Sequence, residues 1–186
     1  IVNLSNLHRQ SLYDKNDLGK PKVKISKKKL SNINSKTVIN TFNYKFDKKK
    51  FEKIIKKYDY IVDGTDNFTA KFSINDLSLK YKKFLVTGAI SKFDGHIFTF
   101  NFNDEKTPCL RCFYQEEKIS DDMLNCEYEG ILGTVAGIVG TIQANEILKK
   151  ILNIGKSLNG FILILDLLNL NFRKVKLSKR RKCKIN

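Results

Sequence analysis

No stretch of this sequence approaches the run of about 18 or more apolar residues that a membrane-spanning helix needs. The longest candidates, Ile131 to Ile142 and Phe161 to Leu165, are interrupted by Gly and Thr or are too short. The opening residues do not read as a secretory leader. Histidine is scarce: His8 and His96 are the only two, which argues against Ser-His-Asp chemistry. Cysteine is limited to four residues. Without an export signal they point to a reducing, cytoplasmic setting, where thiols bind metal or do catalysis rather than form disulfides. An Ile rather than a Met at position 1 reads as a fragment or a processed product.

What is present is enough for a folded core. The 186 residues are 41% hydrophobic, ordinary for a globular chain and far from the disordered regime. The length favours one domain. A net charge of +16 raises the question of a nucleic-acid partner. The basic residues are mostly Lys, however, and they are spread over the whole length beside abundant Asn and Ile. Runs such as Lys27 to Lys29 and Lys48 to Lys50 carry no alternating aromatics. Solvated Lys faces account for the charge better than nucleic acid does, and an acidic protein partner fits the same field.

Residues 1 to 20 show little periodicity and read as a loop. Pro21 suits the first position of a helix, and Val23, Ser26, Leu30 and Ile33 then share one face. Thr37 to Phe42 is β-branched and aromatic and predicts a strand. Asp47 can cap a short helix bearing Phe51, Ile54, Ile55 and Tyr58. Tyr60 to Val62 predicts a buried strand running into Asp63. Asn67 to Tyr81 predicts a helix with Phe68, Phe72 and Leu77 inward, and Phe84 to Thr87 the next strand. This alternation implies an α/β fold with a Rossmann-like, mostly parallel sheet and covering helices on both faces. Ligands of such sheets sit beyond the carboxyl ends of the strands, where Asp63 to Asn67 falls. Gly95 to Phe100 alternates like an exposed edge strand. Gly133 to Leu152 predicts a helix with a stripe of Val135, Ile138, Val139, Ile142 and Ile147, its Gly137 and Gly140 allowing close helix approach. Phe161 to Leu165 and Asn171 to Leu177 predict an antiparallel pair that closes the fold.

Three groups of residues carry chemistry. Ser5-Asn6-Leu7-His8-Arg9-Gln10 and Gly19-Lys20-Pro21-Lys22-Val23 supply two cations suited to a polyphosphate, Arg9 and Lys22, and two amides, Asn6 and Gln10. Asp63-Gly64-Thr65-Asp66-Asn67 supplies a carboxylate for a metal ion or a ribose. Nucleotidyl transfer requires such cations on the phosphates and a carboxylate for Mg²⁺. Cys109 and Cys112, with Cys183 far downstream, have the spacing of a thiolate metal site.

Ser-Asn-Leu-His-Arg-Gln, Gly-Lys-Pro-Lys-Val and Asp-Gly-Thr-Asp-Asn-Phe together resemble the ThiF/HesA/MoeB family, bacterial relatives of ubiquitin-activating enzymes. Val86 to Ala89 with Asp94-Gly95, Pro108 to Cys112, and Gly133 to Ile147 extend the resemblance over nearly the whole chain. It implies ATP-dependent adenylation of the C-terminal glycine of a ubiquitin-like sulfur carrier ending in Gly-Gly, for thiamine or molybdopterin synthesis. A homodimer and a sulfurtransferase are implied as further partners, whereas membrane and nucleic acid are not. By the resemblance Asn6, Arg9, Gln10 and Lys22 contact the nucleotide, Asp66 holds Mg²⁺ with Asn67 beside it, and Cys109, Cys112 and Cys183 hold Zn²⁺. Cys126 occupies the place of a cysteine that links covalently to the carrier in several relatives, although Glu127 and Glu129 disfavour a reactive thiolate there. Lys71 stands where many relatives have Arg, and its role is open.

Two departures qualify the resemblance. The family's Gly-rich phosphate loop belongs upstream of Ile1, so the 186-residue chain reads as one domain without that loop and is expected to bind ATP poorly by itself. Asn186 occupies the place of the fourth zinc thiolate. Two rival readings follow. One is a relative that activates a tRNA-linked carboxylate. The other is a non-catalytic, zinc-stabilised module that binds a carrier without activating it.

Overall fold

The computed structural model describes residues 1–114, 130–180 and 183. It divides into two compact units, Ile1–Asp47 and Lys48–Asn186.

In the first unit, two short 3-10 helices, Leu4–Asn6 and Lys15–Asp17, precede helix α1, Lys22–Ile33. Residues 1 to 20 are therefore more ordered than a plain loop. Val2 N–H donates to Lys20 O at 2.9 Å and Gly19 N–H to Val2 O at 3.0 Å. Gly19 takes φ +77° there, a conformation that costs glycine little. Pro21 is the N-cap of α1, one residue before the position predicted. Lys29 Nζ bridges Asp14 and Asp17 at 2.7 Å each, and Tyr13 Oη pairs with Ser26 Oγ at 2.8 Å. Residues 37–42 are not a strand. Their β-branched side chains favour an extended backbone, but a strand needs a hydrogen-bonded neighbour, and none of the described residues pairs with them. Val38 is accordingly 85% exposed.

The second unit opens with helix α2, Lys48–Ile55, followed by β1, Tyr60–Asp63, helix α3, Phe68–Lys80, and β2, Phe84–Ser91. After β3, Asp94–Asn101, come the single turn α4, Leu110–Phe113, helix α5, Gly133–Leu152, and strands β4, Phe161–Asp166, and β5, Asn171–Lys176. The sheet order is β1-β2-β3-β4-β5. β1 and β2 pair in parallel with α3 as their connection. The later strands pair antiparallel, so the sheet is mixed, with its antiparallel part toward the C-terminus as expected. β3 is not an edge strand. It lies between β2 and β4, and Ile97, Phe98 and Phe100 are at most 1% exposed.

Alternation along the strands sends side chains to two faces. On one, Phe84, Val86, Ile97 and Leu165 pack with Val135 and Val139 of α5. On the other, Phe98 meets Phe113 at 5.2 Å and Tyr114 at 6.0 Å, and Tyr114 meets Phe68 of α3 at 5.0 Å. Burial pushes the Tyr114 hydroxyl up to about 12. β1 is half-buried rather than buried: Ile61 and Asp63 point inward, whereas Tyr60 and Val62 are exposed. Glu52 of α2 accepts from Lys80 Nζ at 2.6 Å and Tyr81 Oη at 2.8 Å, fastening α2 to the end of α3.

Close approach to the sheet falls on glycines of the strands. A Cβ on Gly88 would lie 2.7 Å from Gln143 Oε1, and one on Gly95 would lie 2.5 Å from Val139 Cγ2, so both strands need a bare Cα under α5. Gly137 and Gly140 of α5, expected to allow close helix approach, meet nothing within 4 Å among the described residues. They lie on the solvent side of the helix. No helix among the described residues is long and apolar enough to cross a membrane.

Candidate functional site

The first unit holds the four residues expected to contact the nucleotide, Asn6, Arg9, Gln10 and Lys22. Asn6 is buried at the end of the first 3-10 helix, and its Oδ1 accepts from Asn3 N–H at 3.4 Å. Arg9 Nη1 donates to Ser5 O at 2.9 Å and lies 2.7 Å from His8 Nε2. That leaves other guanidinium N–H groups for a ligand. Gln10 Oε1 is buried without a hydrogen-bond partner among the described residues. Lys22 starts α1 and is half-exposed. Asn6, Arg9, Gln10 and Lys22 thus occur in one compact unit, on the 3-10 turns and the first turn of α1.

In the second unit, β1 ends on Asp63 and α3 begins after Asn67. The five residues from the last position of the strand to the helix cap, Asp63 to Asn67, carry two carboxylates with opposite surroundings. Asp63 is 1% exposed. Its Oδ1 accepts from Thr65 N–H at 2.8 Å and Thr65 Oγ1 at 2.7 Å. Its Oδ2 accepts from Thr87 Oγ1 at 2.5 Å and Lys71 Nζ at 3.2 Å. A carboxylate offers about four acceptor positions, so Asp63 is saturated. Asp66 is exposed, with one contact from Asn67 Nδ2 at 3.3 Å. Asn67 Oδ1 accepts from Ala70 N–H at 2.8 Å and caps α3. Hard cations such as Mg²⁺ take oxygen ligands and keep several waters. The exposed Asp66 fits that role and the saturated Asp63 does not.

Three residues around this turn had no assigned role in the sequence. Lys71 Nζ also donates to Gly88 O at 2.5 Å, and Gln143 Nε2 of α5 donates to Asp63 O at 2.8 Å. Thr87 completes the set. One signal for Lys71 was available: it falls three residues after Phe68 and beside Phe72, on the inward stripe of α3, where an unpaired charge is costly. Gln143 and Thr87 come from distant segments and left no such mark.

The cysteines form a second centre. Cys109, Cys112 and Cys183 place their sulfurs within 4.8 Å of one another. The pairs are 3.8 Å apart for Cys109 and Cys112, 3.5 Å for Cys109 and Cys183, and 3.8 Å for Cys112 and Cys183. Zn–S bonds of about 2.3 Å in a tetrahedron separate the sulfurs by about 3.8 Å, so the three fit zinc. Burial, followed by the neighbouring Cys112 and Cys183, pushes the Cys109 thiol up to about 12. Cys112 is also raised by burial, but the N–H groups of Arg180 and Cys109, with hydrogen bonds from Cys183 and Cys109, outweigh it and lower its pKa. Cys126 and Asn186 lie outside the described residues.

The ThiF family pattern matches residues 1–185. The sulfur carrier protein adenylyltransferase of Thermus thermophilus is 34% identical over 187 residues, covering 99% of this chain and 69% of that protein. The probable molybdopterin-synthase adenylyltransferase of Pyropia yezoensis is 38% identical over 178 residues, covering 95% of this chain and 47% of its own. The chain thus spans about two thirds of the first relative and about half of the second. The crystal structure of E. coli MccB with ATP superposes with a TM-score of 0.83 at 16% identity, over 99% of this chain and 56% of that one, a likeness of fold. With a Rossmann-like α/β sheet, a Thr-Asp-Asn turn at the end of β1 and a family match over all but its last residue, the chain belongs to the ThiF family.

Proposed function

We propose that this chain adenylates the C-terminal glycine of a ubiquitin-like sulfur carrier with a Gly-Gly end, for sulfur transfer in molybdopterin or thiamine synthesis. The observation that carries the reading is the division of labour at the end of β1: Asp63 is consumed by structure, and Asp66 is presented to solvent. The names of the relatives, sulfur carrier protein adenylyltransferase and probable molybdopterin-synthase adenylyltransferase, support the same chemistry.

In the proposed reaction a carrier carboxylate oxygen attacks the α-phosphorus of ATP. The bond from that phosphorus to the bridging oxygen breaks, pyrophosphate leaves, and an acyl-adenylate remains. Arg9 and Lys22, with Asn6 and Gln10, serve the phosphates, where fixed cations lower the cost of the charge that develops on the leaving group. Asp66 is the ligand for Mg²⁺, which screens phosphate charge when bound, and Asn67 holds the start of α3. A sulfur nucleophile then attacks the acyl carbon, and a C–S bond replaces the acyl C–O bond as AMP leaves. The nucleophile is either sulfur brought by a sulfurtransferase or the Cys126 thiol, which thereby forms a covalent link to the carrier.

Cys109, Cys112 and Cys183 would hold a structural Zn²⁺ with one further ligand. A homodimer is supported by the uncovered stripe of α5, where Leu148, Ile151 and Leu152 are 53%, 53% and 61% exposed. A cytoplasmic setting agrees with three free cysteines among the described residues.

The test is carrier-dependent exchange of labelled pyrophosphate into ATP by the full protein that contains this chain. Exchange that disappears in Asp66→Asn supports the reading. Carrier binding without exchange would point to a non-catalytic module, and tRNA-dependent AMP formation to a tRNA-linked carboxylate.

A further inference from the structure

The adenylation reading gives no task to Lys71, although its side chain is only 2% exposed and that of its partner Asp63 is 0% exposed. A charge so placed needs a reason, because buried ion pairs gain little net stability over apolar residues of similar size.

The geometry around Asp66 supplies one. Asp63 Oδ1 takes both the N–H and the hydroxyl of Thr65, an Asx-type turn that sets the direction of the chain one residue before Asp66. Asn67 fixes the chain one residue after it by capping α3 through Ala70 N–H. Asp66 itself is exposed and is held in place by these two flanking locks. The second lock is local to the helix. The first depends on Asp63 keeping its carboxylate charged and oriented inside the protein. Lys71 Nζ provides the counter-charge on Oδ2, and its bond to Gly88 O anchors that ammonium to β2. Thr87 Oγ1 completes the hold on Oδ2. Without the ammonium, a carboxylate with no counter-charge would remain in the interior. That is strongly disfavoured, so Asp63 would reorganise and release Thr65.

We infer that Lys71 is a positioning residue for Asp66: acting through Asp63, it holds the 63–67 turn in the shape that presents the Asp66 carboxylate to a nucleotide-bound divalent cation. The role in turnover rests on the adenylation reading. The effect on the turn does not.

The experiment uses the full protein with Lys71→Met and Lys71→Arg. Two quantities are compared with wild type: the Mg²⁺ concentration giving half-maximal carrier-dependent pyrophosphate exchange, and amide hydrogen exchange over residues 64–70 without nucleotide or metal. In Lys71→Met the half-maximal Mg²⁺ rises by about tenfold or more, and amide exchange in that segment speeds by a similar factor, as expected for breaking a buried pair. Lys71→Arg retains the charge and stays within about threefold of wild type on both. A folded Lys71→Met protein with wild-type Mg²⁺ dependence and wild-type exchange at 64–70 overturns the inference. Should Lys71→Met fail to fold, Lys71→Gln, which still donates but is uncharged, is judged by the same two measurements. A wild-type protein without carrier-dependent activity would overturn the adenylation reading instead, and the amide exchange would still decide whether Lys71 holds the turn.

Discussion

Arg111 Nε and Nη2 donate to the two carboxylate oxygens of Asp76 at 2.8 Å each, joining the turn between Cys109 and Cys112 to the middle of α3. Asn75 Oδ1 accepts from Leu110 N–H at 2.9 Å on the same turn. Phe72 lies under the guanidinium, 4.6 Å from ring centroid to Cζ. The same helix carries Lys71 and is capped by Asn67. One rigid element therefore links the cysteine centre to the Asp66 turn.

Because this pair is bidentate and only partly exposed, Arg111→Ala should cost about 1–3 kcal/mol. Arg111→Lys should recover part of that at most, since a point charge cannot reproduce the planar fork. Denaturant unfolding of the two variants measures it, and equal stability of Arg111→Ala and wild type would contradict the assignment.

Asp63→Asn and Asp66→Asn should part company. The first leaves Lys71 buried without its counter-charge and is expected to lose about 3–5 kcal/mol of stability. The second touches an exposed group and should change stability by no more than about 0.5 kcal/mol, while abolishing carrier-dependent pyrophosphate exchange. Thermal unfolding and exchange assays on both variants separate the roles. A stable Asp63→Asn would remove the basis for dividing them.

Zinc binding should strengthen as pH rises. In the proposed site Cys109, Cys112 and Cys183 would bind as thiolates, and burial pushes the Cys109 thiol up to about 12, so at neutral pH zinc would have to displace its proton. A lower pH makes that displacement harder and weakens binding. Competition titrations between about pH 6 and 8 should show the affinity climbing, and Cys183→Ser should weaken binding throughout. Chelation should lower the melting temperature of wild type. A pH-independent affinity would mean that these thiols are not the ligands.

Gly88→Ala should destabilise the fold by about 1–3 kcal/mol. The new methyl would meet Gln143 Oε1 at 2.7 Å and Val139 Cγ1 at 2.9 Å, pushing away the amide that donates to Asp63 O and Val86 O. Gly137→Ala, in open space on a helix, should be neutral or slightly stabilising in the monomer. Denaturant midpoints for the pair give the contrast.

Local sequence determined the helices and the chemistry-bearing residues. Periodic apolar spacing gave α5 its limits at Gly133 and Leu152, and Asn67 marked the start of α3, because helix phase and capping depend on neighbours within one or two turns. Residue types and order were enough to expect a nucleotide-type turn at Asp63 to Asn67 and a thiolate site at Cys109 and Cys112.

The tertiary structure decided what depends on partners far away in the chain. It made β3 a central strand by flanking it with β2 and β4, and it left residues 37–42 without a strand partner among the described residues despite their strand-like composition. Close packing of α5 on the sheet fell to Gly88 and Gly95 of the strands it crosses. Thr87, Lys71 and Gln143 converged on Asp63, separating it from an otherwise similar Asp66 three residues away. Backbone preference is set by adjacent residues, but burial and hydrogen-bond saturation are set by segments the local sequence does not contain.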